Sequence, residues 1–109
     1  MTVHAAVWRW TEAYDTSSKR YRLHTKMGDV YDAIIEGATH PAQAEFDQRA
    51  FSADLRRELG PEARGGGDWV VEYYDKAVVI SLPNAIAMTR LPQIERVARR
   101  HSLNVSAVV

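Results

Sequence analysis

Trp69-Val70-Val71-Glu72-Tyr73-Tyr74, Asp75-Lys76 and Ala77-Val78-Val79-Ile80-Ser81-Leu82 follow one another directly. Two runs rich in β-branched and aromatic residues, separated by a short polar break, predict a β-hairpin. After Pro83-Asn84 the period changes. Leu91, Ile94, Val97, Ala98 and His101 recur at three- and four-residue intervals, which predicts a helix. Pro92 is placed in its first turn, where a missing N–H is not needed. Leu103, Val105, Ala107 and Val109 then alternate as a closing strand.

Working back from the hairpin, Gly65-Gly66-Gly67 reads as a flexible connector. Ala44, Gln48, Phe51, Leu55 and Leu59 define a helix that ends at Gly60-Pro61, with Phe46, Ala50 and Ala53 widening its apolar side. Leu23, Met27, Val30 and Ile34 define an earlier helix ended by Gly37, with Gly28 in its middle as a possible break. The first strand is Val3-His4-Ala5-Ala6-Val7-Trp8-Arg9-Trp10, with Trp8 and Trp10 on one face and Val3, Ala5 and Val7 on the other. Both faces are partly apolar, which suits a central strand.

The order is therefore β, α, α, β, β, α, β. Merging the two middle helices into one broken crossover gives an α+β fold, the ferredoxin-like βαββαβ arrangement: a four-stranded antiparallel sheet with helices on one face. The handedness of crossovers favours strand order 4-1-3-2. The remaining sheet face, carrying Trp8 and Trp10, is expected to be wet or to meet a partner, including a second copy in a homodimer.

The 109 residues make a single domain, 1–109, large enough for a core without disulfides or a structural metal. There is no cysteine, which removes thiol catalysis and cysteine-based metal sites. No apolar run reaches the roughly 20 residues needed to cross a bilayer, and the start lacks the basic and apolar regions of a signal peptide, so the expected compartment is the cytoplasm with no membrane partner. Formal charge is zero, which speaks against nucleic-acid binding through a basic face.

The charges are unevenly spread. Residues 28–62 hold eight acids (Asp29, Asp32, Glu36, Glu45, Asp47, Asp54, Glu58 and Glu62) against three bases (Arg49, Arg56 and Arg57), a net of −5. Lys19, Arg20, Arg22 and Lys26 form one basic block, and Arg90, Arg96, Arg99 and Arg100 another. Solvated helix faces would produce such blocks, and so would a surface that presents acid to a basic partner.

No catalytic, cofactor or metal site is expected. His4, His24, His40 and His101 show no metal-ligand spacing. His40, before a proline, is expected to be solvated, and His101 to sit at the negative end of a helix dipole. The carboxylate pairs Asp29/Asp32 and Asp54/Glu58 share helix faces but lie in an exposed acidic block rather than a cleft that would shift their pKa values. The three glycines precede a strand rather than opening a helix, so they make no phosphate cradle. The basic-aromatic run at residues 19–24 is read as the charged side of an amphipathic helix, since no RNP-type motif occurs in the strands.

Val78-Val79-Ile80-Ser81-Leu82, followed by Leu91-Pro92-Gln93-Ile94-Glu95-Arg96-Val97-Ala98-Arg99-Arg100-His101-Ser102-Leu103-Asn104-Val105, resembles the end of small bacterial proteins of toxin–immunity type, encoded beside polymorphic or contact-dependent growth-inhibition toxins. In those an apolar strand leads to a helix ending in Ala-x-x-His-Gly-Leu and a final strand. This chain departs in carrying Ser102 for the glycine and Ser106-Ala107-Val108 for the usual polar ending. The resemblance covers about a third of the chain and is structural rather than catalytic. It implies a cytoplasmic protein that binds a cognate toxin domain and blocks it without activity of its own. The acids Asp29, Asp32, Glu36, Asp47, Asp54 and Glu58 are the expected partner-binding residues, set against a basic toxin cleft. The alternatives are a small enzyme of the dimeric α+β-barrel type, with a pocket lined by Trp8, Trp10 and Tyr73, and a ligand-sensing regulatory domain.

Overall fold

The computed structural model of the chain describes residues 2–11 and 27–108. The elements are β1 (Thr2–Trp10), α1 (Met27–Ile35), β2 (Gln43–Ala44), α2 (Gln48–Leu59), a short 3-10 turn (Ala63–Gly65), β3 (Val70–Tyr74), β4 (Ala77–Pro83), α3 (Asn84–Arg100) and β5 (Asn104–Val108). Residues 12–26, and with them the basic block Lys19, Arg20, Arg22 and Lys26, His24 and the expected helical position Leu23, lie outside the described residues.

The fold is α+β with an open antiparallel sheet. β3 and β4 form the expected hairpin, pairing Tyr74 with Ala77 across Asp75-Lys76. β4 pairs with β1, which carries β5 on its other side. The sheet differs from the expectation in strand count and order, because β2 adds a fifth strand of two residues beside Arg9 and Trp10. Ala44 belongs to β2, so α2 begins later than the apolar spacing suggests. What starts it is Asp47, whose carboxylate accepts from the Ala50 N–H at 2.9 Å. Such a cap is worth about 1 kcal/mol.

The larger correction concerns the layers. One core cluster joins Val3, Ala5 and Val7 of β1 and Val78, Ile80 and Leu82 of β4 to Phe51, Leu55 and Leu59 of α2 and Ile94, Val97 and Ala98 of α3. A second joins the alternate strand residues, Ala6 and Trp8 of β1 and Ala77 and Val79 of β4, to Val30 and Ile34 of α1. Successive strand residues point to opposite faces, so α2 and α3 cover one face while α1 covers the part of the other around Ala6 and Trp8, where His4, Val70 and Glu72 stay exposed. Helices do not lie on one face alone. The crossover is broken into two helices, as expected, but its halves sit on opposite sides of the sheet. The face expected to be open is closed by α1 around Trp8, which has no solvent exposure.

Two further expectations change. Pro92 lies inside α3, which begins at Asn84 rather than just before the proline. The glycines are not a loose connector. Gly65 N–H donates to Glu62 O, Gly66 N–H to Ala63 O, Gly67 N–H to Glu62 O, and Ala63 N–H to Trp69 O, at 2.7–3.1 Å. The segment folds tightly against the start of β3.

α3 ends in a Schellman motif: Leu103 N–H donates to Ala98 O at 2.9 Å and Ser102 N–H to Arg99 O at 3.1 Å. Ser102 therefore takes a left-handed backbone, φ 57°. A residue with a Cβ pays roughly 1–2 kcal/mol there, so Ser102→Gly is expected to stabilise the protein by about 1 kcal/mol. Chemical denaturation checks this, and an unchanged midpoint would contradict it. The Arg9 guanidinium also serves this end of α3, donating to His101 O at 2.7 Å, where a cation opposes the negative pole of the helix.

Candidate functional site

A recess lies along β3. Among the described residues β3 pairs only with β4, which leaves its outer edge facing a cleft of about 500 Å³ lined by Arg56, Glu62, Val70, Val71, Glu72 and Tyr73. Arg56, near the end of α2, and Glu62, just past Gly60-Pro61, are brought together by the turn that closes the helix. The Arg56 guanidinium bonds the Glu62 carboxylate at 3.0 Å and donates to the Tyr73 hydroxyl at 3.3 Å. The bond to Tyr73 first, and that to Glu62 next, hold Arg56 more firmly protonated than an ordinary arginine. The other Glu62 oxygen accepts from the Val71 N–H at 3.3 Å. Glu72 accepts from the Tyr74 hydroxyl at 3.1 Å, and that bond, aided by burial, raises the Tyr74 phenol above its ordinary pKa. Val70 and Tyr73 remain 40% and 49% exposed.

The six acids expected to form one partner surface are not brought together. Asp29, Asp32 and Glu36 are exposed on or just beyond α1, on one side of the sheet. Asp54 and Glu58 lie on α2 and Asp47 immediately precedes it, on the other side. Asp47 is occupied as the helix cap. Glu58 is flanked by Arg96 and Arg100 of α3, each at 3.7 Å. Asp54 bonds Arg57 at 3.0 Å and His101 Nε2 at 2.7 Å. α2 and α3 are thus laced by charges that the sequence presented as separate acidic and basic blocks.

The hydrogen bond from His101 is the chief reason the Asp54 carboxyl sits below its ordinary pKa; burial opposes it, and the nearby charge of Arg57 adds to the lowering. A carboxylate whose folded pKa is depressed adds stability above its unfolded pKa, and that contribution is lost as pH falls through the folded value. Acid titration of stability should therefore fall less steeply in Asp54→Asn than in the parent below the ordinary carboxylate range. Parallel curves for the two proteins would contradict the assignment.

Trp8 and Tyr73 do not line one pocket. Trp8 is buried beneath α1, meeting Trp10 edge-on at 4.5 Å and donating through Nε1 to the Ser106 hydroxyl at 3.3 Å. Tyr73 pairs with Val78, on the face of α2. Of the histidines, His4 contacts Ser81 Oγ at 2.9 Å on an exposed stretch of sheet. His40 is not merely solvated: its Nδ1 accepts from the Ala42 N–H at 3.0 Å. His101 follows the last turn of α3, as expected, and is tied to α2 besides. Among the described residues no group of three or more His, Cys, Asp or Glu side chains could hold a metal ion, and no helix is long and apolar enough to cross a membrane.

The grouping of Arg56, Glu62 and Tyr73 was invisible in the sequence, since nothing in their spacing tells that a helix end and a strand edge meet. Gln43 and Gln48 were missed likewise; their side-chain amides donate to Lys76 O at 3.0 Å and to Tyr74 O at 2.8 Å, fixing the hairpin turn. Searches against protein-family models, curated proteins and solved structures each returned no match to this chain.

Proposed function

We propose that this chain is a non-catalytic inhibitory binding module: an immunity protein that binds and neutralises a cognate toxin domain in the bacterial cytoplasm. Its frame is read as ferredoxin-like, with one short strand added and one helix shifted to the second sheet face. The observation that carries the reading is the outer side of α1. Val30 and Ile34 turn into the core, while Asp29, Asp32 and Glu36, spaced by three and four residues, occupy the opposite, exposed side. The last turn of α1 has no basic residue. Asp32 and Glu36 therefore sit near the negative pole of the helix, where an acid weakens it, and a basic partner surface would turn that disadvantage into attraction. A toxin that handles nucleic acid or nucleotides presents such a surface. Asp47, Asp54 and Glu58, engaged within the fold, are withdrawn from the expected contact set.

Charge attraction of this kind acts chiefly on the rate of encounter. Reversal of Asp29, Asp32 and Glu36 to lysine should slow association with the toxin domain by about ten-fold or more, with the difference shrinking as salt rises. Exposed charges contribute under about 1 kcal/mol each to folding, so the variant should stay folded. An unchanged association rate for the folded triple variant would remove α1 from the contact.

A further inference from the structure

The geometry points to the outer edge of β3 as a strand-addition site for an extended, basic segment of a partner protein, with a lysine or arginine of that segment set across from Glu72. The inference specifies how a partner engages this chain and rests on the binding-module reading only in assuming that a protein partner exists.

The direction of the edge groups follows from contacts that are already satisfied. Val71 N–H donates to the Glu62 carboxylate rather than to β4, so it points outward. Positions two residues apart share that direction, which places Trp69 and Tyr73 outward as well. Trp69 confirms it, since its C=O accepts from Ala63 N–H at 2.7 Å in the turn outside the sheet. Along this edge Trp69 is closed by backbone and Val71 by the Glu62 side chain. Among the described residues none bonds the peptide groups of Tyr73 on that side.

Glu62 thus sits where the carbonyl of an added strand would sit. It is a single side chain at 3.3 Å that Arg56 shares, and an incoming strand that supplies carbonyl and N–H groups to Val71 and Tyr73 displaces it onto Arg56 alone. Strand addition uses main-chain bonds for affinity and alternate side chains for choice of partner.

The choice here is electrostatic. The cleft lining contains Glu62 and Glu72 against Arg56, a net negative charge. Glu72 shares its face of the sheet with Val70 and Tyr74. A basic side chain directly across from Glu72 makes an opposite-charge cross-strand pair while its stem lies against Val70 and Tyr74. A second copy of β3 fits less well: an antiparallel pairing centred on Glu72 sets Glu72 against its own equivalent, and like charges directly opposite repel.

The test uses the purified chain and the synthetic peptide Thr-Val-Thr-Lys-Thr-Val-Thr with blocked ends, beside its counterpart with glutamate at the centre. In an amide NMR titration at low salt, the lysine peptide should move the Val71 and Tyr73 resonances and slow their hydrogen exchange, and the glutamate peptide should bind at least ten-fold more weakly. Glu72→Lys should reverse that order, and Glu62→Ala, which frees the Val71 N–H, should tighten the lysine peptide five-fold or more. Equal binding of the two peptides, shifts centred elsewhere, or binding by neither would overturn the proposal. Concentration-dependent shifts at Val71 and Tyr73 without peptide would assign the edge to a second copy and overturn it as well. No toxin enters the experiment, so its failure leaves toxin neutralisation standing and is distinguishable from the failure of that reading.

Discussion

Trp8→Ala is expected to destabilise the protein by about 3–5 kcal/mol, the range for removing a large aromatic side chain from a packed interior. Trp8 has no exposed surface. It lies between Ala6 and Val79 of the sheet and Val30 and Ile34 of α1, and it holds β5 through Ser106. Truncation would leave a void between the sheet and the buried Val30 and Ile34 of α1. On an uncovered sheet face the same substitution would remove little buried area and cost under about 1 kcal/mol. Equilibrium urea unfolding separates the two outcomes, and a loss below 1 kcal/mol would mean that α1 does not cover this face.

Gly67→Ala is expected to cost about 3 kcal/mol, at the upper end of overpacking penalties. A Cβ at Gly67 would overlap the Pro61 carbonyl group and come within 3.0 Å of Glu62 O. These are backbone atoms held by the bonds that close residues 62–69, so no side-chain rotation relieves the clash. Relief requires opening the turn that carries Glu62 toward β3 and seats Trp69, which is 1% exposed. Gly65→Ala is the control, because its Cβ would meet only the Pro61 Cβ at 3.2 Å, and it should cost under about 1 kcal/mol. Similar stability for Gly67→Ala and Gly65→Ala in thermal unfolding would contradict the tight turn.

The parts of the fold legible in the sequence are those in which local pattern and tertiary role coincide. The hairpin at residues 70–83 is one, since its β-branched runs and polar break need no distant partner to be recognised. The end of α3 is another: Ser102 stands where a left-handed residue is required, and its φ of 57° shows that a serine fills a position suited to glycine. β1 announced apolar residues on both faces, yet periodicity does not say what covers the second face. Trp8 and Trp10 read equally well as a surface for a partner and as the floor beneath α1. The strand β2, two residues long, is too short to have a period at all.

The candidate site was less legible still. Asp29 and Asp54 lie in one acidic stretch of sequence but on opposite sides of the sheet, because the chain passes from one face to the other between α1 and α2. Charge counted along the chain therefore merged two surfaces into one. Arg56, Glu62 and Tyr73 meet only because Gly60 ends α2 and the chain turns back to the edge of β3. Conversely, Glu58 and Arg100 look like members of opposing charged blocks until the packing of α2 on α3 sets them 3.7 Å apart.

Neutralisation itself is most directly tested in growing cells. The domain encoded by the reading frame adjacent to this chain's gene is to be produced from an inducible promoter, alone and together with the chain, while growth is followed. The expected result is arrest with the domain alone and full growth when the chain is produced with it, with protection weakened for the Asp29→Lys, Asp32→Lys, Glu36→Lys variant. Growth unaffected by the domain alone, or arrest that the intact chain does not relieve, would contradict the proposed immunity function.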